Sequence, residues 1–171
     1  GPTFKFIGTL AFGPDGVLFA ADSQDVSITA LQLGKEAASG APGTKDIPAI
    51  DQKIAALLGT DPKNLLITDM VVNPKTRNTF ISVVRGQGTA ARPVLLRVDG
   101  AGKIDVVALD KVRYSKIALP SPPPEVTPLI VNGRSIPVAN YPDKVDPKGN
   151  LAVQTITHMA YLDGKLYVAG L

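Results

Sequence analysis

The 171-residue chain contains no cysteine and no tryptophan, and it has one histidine, His158. The missing cysteines exclude disulfides, thiolate metal sites and thiol catalysis, and a lone histidine excludes any metal centre or triad built from several. Aromatic residues make up 5% of the chain and charged residues 19%, too few aromatics for a base-stacking surface and too little charge for a disordered chain or a coiled coil. No apolar run approaches the ~18 residues that a membrane span needs. Hydrophobic residues reach 44%, with 16 Gly and 15 Pro, which describes a loop-rich globular protein with material for a core. Gly1-Pro2 follows no basic and apolar leader, a start that a removed signal peptide and a tag protease leave alike. A periplasmic or secreted setting is expected before a cytoplasmic one.

The net charge of +3 is unevenly placed: between Asp61 and Pro120 ten Lys/Arg face five Asp. That basic third has only Phe80 and Tyr114 as aromatics, so it lacks the interleaving that nucleic-acid binding requires, and no nucleic-acid partner is expected.

Three segments repeat one pattern of apolar strand, tight polar turn and second strand. They are Gly8 to Ala20 around Gly13-Pro14-Asp15-Gly16, Thr68 to Ser82 around Asn73-Pro74-Lys75-Thr76-Arg77-Asn78, and Thr157 to Ala169 around Asp163-Gly164. Proline presets φ at the second turn position and Asp-Gly supplies the positive φ of a tight hairpin. The middle repeat continues into a third strand, Pro93 to Asp99, a Gly100-Ala101-Gly102 turn and a fourth strand, Lys103 to Leu109. Four antiparallel strands in about 43 residues make one propeller blade. The expected fold is therefore all-β, a fragment of a β-propeller with four-stranded antiparallel blades and one short helix in an inter-blade insert.

The blade starts, of the type Leu10-Ala11-Phe12-Gly13-Pro14-Asp15-Gly16, resemble those of six-bladed propellers of the NHL and gluconolactonase-like (SMP-30) group. That resemblance implies a propeller fold; it does not select a function, because propellers host lactonases, hydrolases, lyases, receptors and scaffolds.

The chain is expected to be one partial domain: a blade over 5–33, an insert over 34–66, a blade over 67–110, a Pro-rich insert over 111–150 and an incomplete blade over 151–171. The first insert holds a helix over 51–58, with Asp51 as N-cap and Gly59 beyond its end. The second has Pro120, Pro122, Pro123 and Pro124 favouring extended polyproline, then an Asn132-Gly133 hairpin. Two blades and a start fall short of the four or more that close a ring. The expected partner is a second polypeptide that resumes after Leu171, as in a nicked or self-cleaved propeller, and completes the ring.

Blade register places Thr9, Asp69 and His158 where innermost strands begin, each preceded by Gly8, Thr68 or Thr157. Side-chain alternation predicts that Leu10, Phe12, Met70, Val72, Met159 and Tyr161 enter inter-blade packing while Thr9, Asp69 and His158 take the other side. Long inserts, the loop from Arg85 to Arg92 and the acidic turn Asp22 to Asp25 are expected on one functional face. The resemblance implies a divalent metal, calcium or zinc, held by acidic and amide side chains at inner-strand starts, polarising a lactone carbonyl. Asp69 and His158 are then the metal-binding and catalytic candidates, with Thr9, Thr68, Thr157, Arg85 and Arg92 as ligand-binding candidates. The alternative for Asp69 and His158 is pairing, or capping backbone amides. Two functions stand at this point: a propeller binding a small polar ligand or metal at the channel mouth, in its enzymatic form a metal-dependent hydrolase or lactonase; and a non-catalytic recognition or scaffold propeller that binds a protein or glycan.

Overall fold

The computed structural model describes residues 1–34, 46–120, 129–131, 134–136 and 156–170. The elements in chain order are β1 (Leu10–Phe12), β2 (Val17–Asp22), β3 (Ser27–Gln32), α1 (Ile50–Leu57), β4 (Leu65–Val72), β5 (Thr79–Arg85), β6 (Arg92–Val98), β7 (Ile104–Val106), β8 (Arg113–Ala118), β9 (Leu129–Val131), β10 (Arg134–Ile136), β11 (His158–Leu162) and β12 (Lys165–Ala169). The fold is mostly β, with two antiparallel four-stranded sheets, ordered β1-β2-β3-β8 and β4-β5-β6-β7, and two hairpins, β9-β10 and β11-β12. The sheets are open. Among the described residues no helix is long and apolar enough to cross a membrane.

The hairpins follow from local turn chemistry. Asp15 (φ 54°) and Gly16 (φ 75°) close the four-residue turn 13–16 between β1 and β2, and Asp163 (φ 48°) and Gly164 (φ 79°) turn β11 into β12 as a two-residue connection with positive φ requires. In the 73–78 turn the side-chain oxygen of buried Asn73 accepts from the backbone N–H groups of Lys75 (2.9 Å) and Thr76 (3.3 Å), replacing a ladder with an Asx turn. Helix α1 ends as expected: Gly59, at φ 63°, follows a last turn closed by Gly59 N–H to Ala56 O and Thr60 N–H to Ala55 O, the Schellman pattern. Its start differs from expectation. Ala49, at φ 53°, is the N-cap without a side-chain bond, and Asp51 sits in the first turn, where its charge still favours the helix dipole.

Three layers stack in the order β11-β12 hairpin, first sheet, second sheet, with β1 lying between β11 and β4. Between the two sheets pack Ile7, Leu10, Leu18, Ala20, Leu31, Phe80 and Leu95; between the first sheet and the hairpin pack Ala11, Ala21, Ile28, Ile156 and Met159. On the far face of the second sheet, α1 seats Ile54 against Ile81, Val83, Leu96 and Val98. Each fully buried side chain of this size contributes about 2 kcal/mol.

Two features depart from the serial reading. The segment expected to open the Pro-rich insert is instead β8, which pairs with β3 from Ser27↔Ala118 to Gln32↔Arg113 and supplies the first sheet's fourth strand. The insert 34–66 leaves β3 beside the tight turns, and its helix covers the flat of the second sheet, so both long inserts are not gathered on one rim. Of the second insert, the antiparallel pairing of β9 with β10 agrees with an Asn-Gly hairpin, whereas Asn132, Gly133, Pro122, Pro123 and Pro124 lie outside the described residues, as do residues 35–45, 137–155 and Leu171.

Candidate functional site

The first strands of the three layers, β4, β1 and β11, lie side by side, and the polar residues at their starts tie one layer to the next. Asp69 reaches the first sheet, its Oδ2 accepting from Leu10 N–H at 2.7 Å while Oδ1 accepts from Met70 N–H at 2.8 Å. Thr9 reaches the hairpin, its hydroxyl donating to Thr157 O at 3.3 Å. Thr68 Oγ1 donates to Ile7 O (2.7 Å) and stands 2.8 Å from Ser82 Oγ, which donates to Gly8 O (2.9 Å). Thr157 closes its own hairpin, with N–H and Oγ1 both directed at Ala169 O.

A β-bulge makes this possible. The β4-β5 register jumps between Ile67 and Asp69, and an extra residue in one strand re-aims its neighbours. Thr68 and Asp69, consecutive in sequence, therefore both face the first sheet. Ser82, buried completely, is the partner that sequence reasoning missed.

The three register-equivalent residues do not converge. Each points toward the layer on one side of its own strand: Asp69 to the first sheet, Thr9 to the hairpin, and His158, alternating with buried Met159, to the exposed outer face of the hairpin. The second sheet and the hairpin flank the first on opposite sides, so Asp69 and His158 are not brought together. Leu10, Phe12, Met159 and Tyr161 pack between layers as expected; Met70 and Val72 occupy the corresponding face of β4 yet are 62% and 47% exposed.

The divalent metal that the resemblance implies does not fit this donor set. Both Asp69 oxygens are engaged by backbone amides, and His158 lies on another layer. Among the described residues no group of three or more His, Cys, Asp or Glu side chains could hold a metal ion.

The acidic turn is equally committed. Buried Asp22 accepts from the N–H groups of Lys5 (2.7 Å), Gln24 (3.1 Å) and Asp25 (3.0 Å). Asp25 lies between Lys116 and Lys5. Hydrogen bonds from the Lys116 and then the Lys5 ammonium hold its carboxyl down at about 2, and Asp25 in turn raises the Lys5 pKa.

Arg85 and Arg92 remain exposed, directly opposite each other on β5 and β6. The loop between them is fixed: Gly86 N–H donates to Asn64 O at 2.8 Å, Gln87 Nε2 donates to Asn64 Oδ1 at 3.1 Å, and Arg92 donates to Thr89 O and Ala91 O. Gly86 (φ 86°) is required, because a Cβ there would stand 2.8 Å from Ala90 O. Lys63 lies in the adjoining turn Pro62–Asn64, where its carbonyl accepts from Gln87 Nε2 at 3.4 Å.

Comparison with protein-family models, curated proteins and solved structures finds no match.

Proposed function

We propose that the protein is a non-catalytic recognition domain of propeller type, whose rim loop between Arg85 and Arg92 holds an anionic group of its ligand. One observation carries this reading: two like-charged side chains stand opposite each other on a loop held rigid by backbone and Gln87 bonds. Cationic side chains directly opposite on a sheet repel each other, and an anion between them relieves that repulsion with charge-assisted hydrogen bonds. The propeller type is supported by the equivalent hairpins and the layered four-stranded sheets.

The test is titration of the full-length protein with polyglutamate peptides and with uronate oligosaccharides against neutral counterparts. Expected is binding that weakens with salt and is lost in the Arg85→Ala/Arg92→Ala double variant. Binding unchanged in that variant, or metal-dependent lactone turnover abolished by Asp69→Asn, overturns the proposal.

A further inference from the structure

Arg85 and Arg92 share a face of the second sheet as well as a register position. Val83 and Val94 stand opposite each other on β5 and β6 and pack in the apolar cluster under α1. Side chains two residues apart on a strand share a face, so Arg85 and Arg92, the next opposed pair on that face, project on the same side, where both are exposed. Neither neighbouring strand gives Arg85 a carboxylate: opposite it stand Leu65 on β4 and Arg92 on β6. Among the described residues Arg85 has no hydrogen bond or ion pair. Arg92 commits Nη1 to Thr89 O and Ala91 O, which leaves Nε and Nη2 to donate. Nearby Lys63 already has Asp61 3.7 Å away, so the charge left unmatched at this end of the sheet is that of two guanidinium groups.

That count selects among anions. Opposed side chains on a sheet have Cβ atoms about 4.5–5.5 Å apart, close enough for both guanidinium forks to reach one small group. A carboxylate brings one charge and two oxygens, and two carboxylates held in the same gap repel each other. A phosphate monoester brings about −1.5 to −2 at neutral pH and three acceptor oxygens on one phosphorus, which matches both the charge and the donors. Leu65, directly opposite Arg85, and Leu58 of the same apolar cluster are both partly buried and give the organic body of an ester an apolar surface. Building on the rim-loop reading, we infer that the anionic group held between Arg85 and Arg92 is the phosphoryl dianion of a phosphate monoester.

The test is calorimetric titration of the protein at low salt with phenyl phosphate, inorganic phosphate, phenyl sulfate and benzoate. The sulfate keeps one charge throughout, whereas a phosphate monoester loses its second charge below a pKa of about 6. The chain's one histidine, His158, lies on the outer face of the β11-β12 hairpin, on the other side of the first sheet, so the charged side chains that meet the ligand, Arg85, Arg92 and Lys63 with Asp61, do not titrate in that window. Expected at about pH 7.5 is phenyl phosphate bound at least about tenfold more tightly than phenyl sulfate, benzoate or inorganic phosphate, with its lead over the sulfate gone at about pH 5. Arg85→Ala and Arg92→Ala are each expected to remove that lead, and Arg85→Lys, which keeps the charge and loses the fork, to reduce it. Lys75→Ala, which removes a charge at the opposite end of β5, is expected to leave it unchanged, and circular dichroism checks that every variant folds. Equal affinity for phosphate ester, sulfate and benzoate, inorganic phosphate bound as tightly as the ester, or a preference that survives Arg85→Ala overturns the inference. Equal affinities that vanish in the Arg85→Ala/Arg92→Ala double variant sink the phosphoryl assignment and leave the rim-loop reading standing, whereas no binding of any anion overturns both.

Discussion

Asp69 and Asp25 are both carboxylates that meet N–H donors, but Asp69 holds two layers together through backbone amides whereas Asp25 holds two lysine side chains. Removing Asp69 strands the Leu10 N–H in a partly buried place, so Asp69→Ala is expected to lower unfolding free energy by about 1–3 kcal/mol in urea titrations. His158→Ala, on an exposed face, is expected to stay within about 0.5 kcal/mol. Asp25 provides a pH signature. Its carboxyl is held at about 2 in the folded state, below the ~3.9 of a free aspartate, so it adds stability at neutral pH that is lost as pH falls from about 4 toward 2. Melting temperatures across that window are expected to fall less steeply for Asp25→Asn, with a small effect because the lysines are partly solvated. The sequence exposed the polar positions at strand starts; it hid the bulge at Thr68, since one extra residue changes which face the next side chain takes without leaving any mark on composition.

At the level of elements, legibility followed the range of the forces. The Asp-Gly hairpins and the Gly59 helix end were readable because their determinants lie within a few residues. Strand β8 was not, because Arg113 to Ala118 gains its partner from the distant β3, from Ser27↔Ala118 to Gln32↔Arg113, and a further tie from Lys116 to Asp25, 91 residues away in the turn before β3. Its fully exposed pattern and charged Arg113 and Lys116 also suit a sheet edge guarded against further pairing. Helix α1 is anchored by Ile54, 0% exposed among second-sheet residues; Ile54→Ala is expected to cost about 2–4 kcal/mol in chemical denaturation. Gly59→Val forces a branched side chain into the left-handed region and is expected to cost about 1–2 kcal/mol by the same measurement.

For the whole molecule, the layer order lay beyond the sequence reading, because repeats identify layers without saying which neighbour each will choose. The absence of tryptophan makes that order measurable. Phe19→Trp places a single fluorophore where the first sheet meets the hairpin, and adding Met159→Asp, which puts a charge into the same interface, is expected to move its emission to longer wavelength. An unchanged spectrum would place the hairpin elsewhere. The return of β8 to β3 bears on how the chain is made. A ribosome releases β1, β2 and β3 first, yet the edge of their sheet stays bare until β4 through β7 have emerged and β8 follows. Closing so long a loop is slow relative to local hairpins, so the nascent first sheet carries an open edge throughout synthesis of the second. Once β8 is paired, the second sheet lies in sequence between two strands joined to each other, so a force pulling on the chain ends is expected to load the second sheet only after β8 has left β3.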